Sequence, residues 1–278
     1  MTHLHNISRR NFILGLSCTC GSVILLPSCT EVKISGRKQF NILSDDFLYS
    51  KAFPAYEKFK SQTKLITGTT EYNNIVNIGY SIRDAIKVYY AKIGEQNPTD
   101  NFQWEFVLVD DDQTKNAWCM PGGKIAVYSG ILPIAKNNDG LASIMGHEIA
   151  HAVARHSAER ASRSILMDAS TYAFERLILG TSLTGYSREL YGQMRLLGLE
   201  LPFSRNQESE ADYLGLVFMS LAGYNTEESY LVWERMQKAK GGKGQAEFFS
   251  THPSSKDRIK KLKEWIPQVS KQYPPIQA

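Results

Sequence analysis

Cysteine is scarce in this chain, with four residues among 278, at positions 18, 20, 29 and 119. Three of the four fall within one short N-terminal stretch, which excludes a disulfide framework. Cys119, between Trp118 and Met120, is expected to lie buried as a small hydrophobe rather than to act as a ligand or reactive thiol. Charge of one sign is also lacking: the formal net charge is +4. The only dense basic run, Lys256, Lys260, Lys261 and Lys263, reads as the solvated face of a helix, so nucleic acid is excluded as a partner. Long apolar runs are limited to Phe12–Leu26, whose 15 residues fall short of the roughly 20 a membrane span needs. A protein crossing the membrane many times is thereby excluded. No internal repeat is present.

The N-terminus has no acidic residue before Glu31 and sets Arg9 and Arg10 ahead of its apolar run, which is the architecture of an export signal. Leu26-Pro27-Ser28-Cys29 resembles a bacterial lipobox, in which the cysteine receives a lipid and becomes the mature N-terminus. Ser8-Arg9-Arg10-Asn11-Phe12-Ile13 resembles a twin-arginine signal. The expectation is a cleaved segment 1–28 and a chain anchored to the membrane by lipid on Cys29. Its expected location is the bacterial cell envelope, facing the periplasm as an outer-membrane lipoprotein.

The whole chain is 42% hydrophobic and 22% charged, and a chain of this length and composition can bury a full core. Residues 29–69 read as a segment that wraps the domain, with short helical pieces around Pro54. Ile75, Ile78, Ile82, Ile86 and Tyr89 recur at three- and four-residue steps and predict a long amphipathic helix from Thr70 to about Gly94. Trp104–Asp110 and Lys124–Gly130 have the β-branched and aromatic character of strands, the second entered through the Pro121-Gly122-Gly123 turn. A helix is expected from about Asp139, capped by Asn138 or Asp139, to beyond His156. Residues 180–202 read equally as a mobile flap or an interrupted core helix. Further helices are expected over Gln207–Leu221, Thr226–Lys240 and Ser255–Trp265. The fold class is α+β, mostly helical, with a small sheet beside the central helix; the domain spans 70–270 and leaves a tail at 271–278.

That central helix carries "HEIAH". At 3.6 residues per turn His147 and His151 stand one above the other, so both imidazoles can reach one metal ion. Glu148 falls on the adjoining side, where its carboxylate can hydrogen-bond a water rather than join the ligand set, as a general base must. A catalytic zinc needs a third protein ligand. Position 157 is serine, which removes the solution with a third histidine six residues on, and His156, five residues after His151, is expected off the ligand face, either at the surface or behind a ligand. A glutamate from a separate helix remains, and "NQESEADYLGL" offers Glu208. Asp212, one turn later, can hold the distal nitrogen of a ligand histidine, whereas Glu210 is expected to be solvated.

HExxH followed by Glu208-Ser209-Glu210-Ala211-Asp212 resembles the gluzincin metallopeptidases that include the HtpX-type heat-shock proteases and the CAAX prenyl proteases. "NAWCMPGGKIAVYSGIL" and "STHPSSKDRI" are similar to the soluble envelope branch of that family, the BepA-type proteases and related lipoproteins. The resemblance implies a zincin-like fold and one zinc ion per chain, held by His147, His151 and Glu208. Glu148 would then be the catalytic base and Asp212 the partner of a histidine. It also raises His252, in "THP", from a turn residue to one that fills the open position of a resting enzyme or polarises the substrate carbonyl. Arg258 supports that loop or forms a surface ion pair.

The function expected from these parts is zinc-dependent endopeptidase action on misfolded or unassembled envelope polypeptides. The substrate would lie along an exposed strand edge formed by Lys124, Ile125, Ala126, Val127 and Tyr128. The alternative is a zinc-binding chaperone or assembly factor that works with envelope assembly machinery and cleaves little.

Overall fold

Strand alternation sets the layers. In the computed structural model, which describes residues 29–165, 203–239, 251–252 and 256–276, the chain forms a four-stranded sheet from β3 (Leu65–Ile66), β4 (Glu105–Val109), β5 (Ala117–Met120) and β6 (Lys124–Tyr128). Phe106, Leu108, Cys119, Ile125 and Val127 face the main helical core. Their neighbours Val107, Val109, Met120 and Ala126 face the other way, onto Ala52 and Tyr56 of helix α1 (Asp45–Gln62). Successive strand residues point to opposite faces, so both faces of this sheet are covered. The architecture is α+β and mostly helical, as expected. The segment expected to be exported and the candidate flap at 180–202 lie outside the described residues.

Helix α2 (Thr70–Ile93) buries the predicted row Ile75, Ile78, Ile82, Ile86 and Tyr89. Thr69 caps its first turn by accepting from the Tyr72 amide, and Gly94, at φ +69°, ends it in the left-handed conformation that glycine adopts without strain. Around Pro54 the structure has one continuous helix, α1, instead of short pieces. Leu48, Ala52 and Tyr56 are buried on one side of it, and that packing outweighs the proline's missing donor.

The sheet order is β3-β4-β6-β5, with β4 and β6 parallel and the other pairs antiparallel. Lys124–Tyr128 is therefore an interior strand hydrogen-bonded on both sides, not the exposed edge expected from sequence. Ala117–Met120 is too short and mixed to stand out as a strand, yet it folds back on β6 through the turn at Gly122 and Gly123, at φ +85° and +80°. The outer edge of the sheet on this side belongs to β5. Lys124 is 7% exposed, with Nζ 3.0 Å from Glu105, so its side chain is also committed to the fold.

After the short α3 (Leu132–Ala135), helix α4 (Asn138–Val153) starts at Asn137, whose side chain accepts from the Gly140 amide at 2.7 Å. Every residue from Gly140 to Val153 is buried, as in a helix packed on all sides. The expectation that this helix runs past His156 fails: it stops at Val153, Arg155 takes φ +55°, and a new helical stretch covers 156–165. Helix α5 (Arg205–Leu221) opens with a reciprocal capping box between Ser204 and Gln207. It crosses α4 at Gly146 and Gly215, where a Cβ on Gly215 would stand 2.9 Å from the His147 backbone nitrogen. Close approach of the two helices thus depends on a missing side chain.

Helices α6 (Glu228–Lys238) and α7 (Lys256–Gln272) complete the core. The latter continues beyond Trp265 and through Pro267, because Val269 is fully buried and keeps the final turns on the core. Lys256, Lys260, Lys261 and Lys263 are exposed along it, as expected. In the tail, Ile276 donates its amide to the Leu221 carbonyl at 2.9 Å. At the other end, β1 (Cys29–Val32) and β2 (Arg37–Phe40) form a hairpin, with Cys29 opposite Phe40. Among the described residues no helix is long and apolar enough to cross a membrane.

Candidate metal centre

One helical turn brings the Nε2 atoms of His147 and His151 to 3.0 Å. Glu208 arrives from α5, its carboxylate 3.6 Å from His147 Nε2 and 3.5 Å from His151 Nε2. His252 adds Nδ1, 3.3 Å from His147 Nε2 and 3.0 Å from Glu208 Oε1. Each of these four buried side chains offers one ligand atom, and those atoms all lie within 4.8 Å of one another.

The tautomers decide what such a cluster can hold. Asp212 Oδ1 stands 3.1 Å from His147 Nδ1 in a bent contact, so that nitrogen carries the proton and Nε2 presents its lone pair. His156 Nε2 donates to Glu210 Oε2 at 2.8 Å, leaving His156 Nδ1 to accept from His151 Nδ1 at 2.8 Å. His151 Nε2 is then a lone pair as well. Two lone pairs facing each other at 3.0 Å cannot hydrogen-bond, and a cation between them resolves the contact. Two nitrogens bound at 2.0–2.1 Å to a tetrahedral ion stand about 3.3 Å apart, so the spacing suits zinc. Burial holds the His151 imidazole well below its ordinary value, which keeps it neutral and able to ligate.

Carboxylate charges are balanced by one arginine. Burial works to raise the Glu208 and Asp212 carboxyls, but Arg258 and the histidines bring both below their ordinary values, Glu208 well below. Arg258 Nε and one terminal nitrogen each lie 2.6 Å from Asp212, and its other terminal nitrogen lies 2.5 Å from Glu208. The expectation of a surface ion pair is wrong here: Arg258 is 6% exposed and rests 3.7 Å from the centroid of the Trp233 ring.

Glu148 is different. Burial pushes its carboxyl up, with Glu208 adding to the push and His252, His147 and Arg258 opposing it. Its Oε1 has no hydrogen-bond partner and sits 3.4 Å from His252 Nε2. A carboxylate beside the donor set but outside it, raised toward neutrality, is suited to moving a proton.

One reading of a neighbouring residue is corrected and another is decided. Glu210 is not solvated but 6% exposed, paired with His156, with Ser35 and, at 2.5 Å, with Arg37. Of the two places expected for His156, at the surface or behind a ligand, the second holds: it is fully buried, and the break at Arg155 turns it back so that its Nδ1 meets His151 Nδ1 at 2.8 Å. Phe203 was missed: it stacks on His151 at 3.7 Å and on His252 at 5.1 Å, and its amide donates to the Thr251 carbonyl. Nothing in its local sequence marks it, since its role depends on the segment carrying His252. Cys119 is buried as expected, and burial pushes its thiol well up, which leaves it inert.

The comparisons with known proteins agree with this chemistry. The mitochondrial metalloendopeptidase OMA1 of Schizosaccharomyces pombe is 38% identical over 270 residues, covering 94% of this chain and 73% of that protein. Its namesake in Saccharomyces cerevisiae is 41% identical over 181 residues, 63% of this chain and half of the relative's length. The Escherichia coli metalloprotease YcaL is 29% identical over 153 residues, covering 54% of this chain and 58% of that protein.

These relatives overturn the expected location. The two fungal proteins are mitochondrial, so the outer membrane of a bacterial envelope is not where this chain is placed, and the lipid on Cys29 loses its basis with it. The misleading features, paired arginines and an acid-free N-terminus, are shared by export signals and mitochondrial targeting segments alike. The narrower resemblance to HtpX-type and CAAX prenyl proteases widens to the family as a whole. With residues 81–266 matching peptidase family M48 around a donor set suited to zinc, the chain belongs to that family and is a metallopeptidase.

Proposed function

We propose that this zinc metalloendopeptidase cleaves extended segments of misfolded or unassembled polypeptides in the mitochondrion. The similarity to the two fungal proteins supports the location, and the envelope substrates expected from sequence are replaced accordingly. The observation that carries the activity is the convergence of His147, His151 and Glu208 next to the raised carboxylate of Glu148. In this reading those three side chains hold zinc, Asp212 orients His147, and the peptidase domain spans 70–270 with 29–69 wrapped around it.

Bound zinc supplies Lewis acidity to a substrate carbonyl and lowers the pKa of a water. In that setting Glu148 would take a proton from the attacking water and return it to the leaving amine. The substrate strand adds to the outer edge of β5, Ala117–Met120, which packs beside α4 and offers backbone groups without regard to side-chain sequence. His252 completes the donor set at rest and withdraws to open one position, since catalytic zinc sites keep a place free that structural sites fill.

Digestion of an unfolded casein-type substrate tests the activity. The unaltered chain should cleave it, a chelator should stop cleavage, and Glu148→Gln should bind zinc yet leave the substrate intact. Cleavage undiminished in Glu148→Gln would remove this assignment.

A holdase that cleaves little is the second reading, favoured by the closed donor set around His252. Full rescue of a loss-of-function phenotype by the Glu148→Gln chain would select it.

A further inference from the structure

We propose that Arg37, Glu210 and His156 form a positioning relay that aims His151 at the metal, so that the N-terminal hairpin is a working part of the zinc site. The inference rests on the reading of His151 as a zinc ligand made above.

The chain of contacts is continuous and almost wholly buried. His151 Nδ1 meets His156 Nδ1 at 2.8 Å, and His156 Nε2 meets Glu210 Oε2 at 2.8 Å. Arg37 Nε then meets the same Glu210 oxygen at 2.5 Å. His156 and Glu210 are 0% and 6% exposed. The Ser35 hydroxyl bonds the other Glu210 oxygen, and the terminal nitrogens of Arg37 reach Glu159 at 2.9 and 3.1 Å. Glu159 is in turn held by Gln207 at 2.9 Å, directly before Glu208 in the chain.

Each link has a direction. Arg37 has only donors, so Glu210 is kept as a carboxylate acceptor. The carboxylate takes the proton on His156 Nε2, which obliges His156 Nδ1 to accept. His151 Nδ1 must then donate, and Nε2 is the only nitrogen left with a lone pair for a metal. His147 has its own carboxylate, Asp212, one turn below Glu208 on α5. At His151 Nδ1 the partner is His156 instead, and the relay supplies at one imidazole's remove what Asp212 supplies directly to His147. The hairpin, with Ser35 in its turn and Arg37 at the start of β2, belongs to neither helix of the HExxH and glutamate motifs, yet it fixes the far end.

Zinc affinity, read by competition with a chelator on the full chain, separates this role from packing. The unaltered chain should hold one zinc. His156→Leu removes the acceptor and should weaken binding by about 10- to 100-fold. His156→Asn places Oδ1 near the former Nδ1 and should restore binding to within about threefold of the unaltered chain. Arg37→Gln, at a side chain partly open to solvent, should weaken binding by at least about threefold. Unfolding of the metal-free proteins, followed by circular dichroism, checks that each variant folds. Equal weakening in His156→Leu and His156→Asn, or unchanged affinity in either His156→Leu or Arg37→Gln, would overturn the relay and leave the zinc reading standing. An unaltered chain that binds no zinc would remove both.

Discussion

The guanidinium of Arg258 spans the carboxylate of Asp212 through two contacts of 2.6 Å, and its remaining nitrogen reaches Glu208 at 2.5 Å. One cation therefore holds the proposed zinc ligand and the carboxylate that orients His147. Removing it takes from two buried carboxylates the cation in direct contact with both. Arg258→Ala is expected to cost about 3–5 kcal/mol of stability. Arg258→Lys should recover little, because an ammonium cannot match both carboxylates in a fork. Denaturant unfolding of the three proteins checks both statements.

Glu148→Gln changes one atom and keeps the shape of the side chain. Zinc content should stay at one ion per chain, while the rate of peptide cleavage falls by about 100- to 10,000-fold, the range assigned to a positioned general base. Metal analysis and single-turnover cleavage on the same preparation separate binding from proton transfer.

His252→Ala removes the fourth donor of the resting cluster but none of the three proposed zinc ligands. Cleavage of an unfolded substrate should rise severalfold, because the closed state no longer competes with substrate. A fall in rate with unchanged zinc content would instead assign His252 to polarising the carbonyl.

Gly215→Ala tests the helix crossing. The new methyl would lie 2.9 Å from the His147 backbone nitrogen and 3.0 Å from the Gly146 carbonyl carbon, and neither atom can move without shifting α4. A loss of about 1–3 kcal/mol is expected, together with weaker zinc binding as Glu208 is displaced from the histidines. Alanine is a better helix former than glycine, so a gain in stability would show that the helices separate freely.

Acid sensitivity follows from Glu159. Burial works to raise its carboxyl, but Arg37, Gln207 and Arg163 together bring it below its ordinary value. A lowered folded value means that the stabilisation is complete above the unfolded value of about 4.3 and is lost as pH falls below it. The stability difference between the unaltered chain and Glu159→Gln, measured without metal, should hold steady from pH 7 to about 5 and shrink below that. Shrinkage between pH 7 and 6 would point to a histidine instead.

Much of the proposed centre was legible because its spacing is local. His147 and His151, or Glu208 and Asp212, are one helical turn apart in any sequence that folds as a helix there, and the structure brings His147, His151 and Glu208 together with Asp212 at the far nitrogen of His147. For His156 the sequence left the surface and a place behind a ligand both open, because the single left-handed residue Arg155, which turns it onto His151, has no local signature. The strand Lys124–Tyr128 was recognised but put at the wrong place in the sheet, since pairing order depends on β5 folding back beside it.

The amino-acid sequence by itself determined α2 and α5, their apolar faces and the pairs of side chains one turn apart, because each of these depends on periodicity within a few residues. Only the tertiary structure decided which strands lie at the edges of the sheet, that Arg258 and Glu210 are buried, and that Arg37 reaches across 173 positions to Glu210. A charge becomes costly, and its partner necessary, only where packing has removed water, and that condition does not exist along an extended chain.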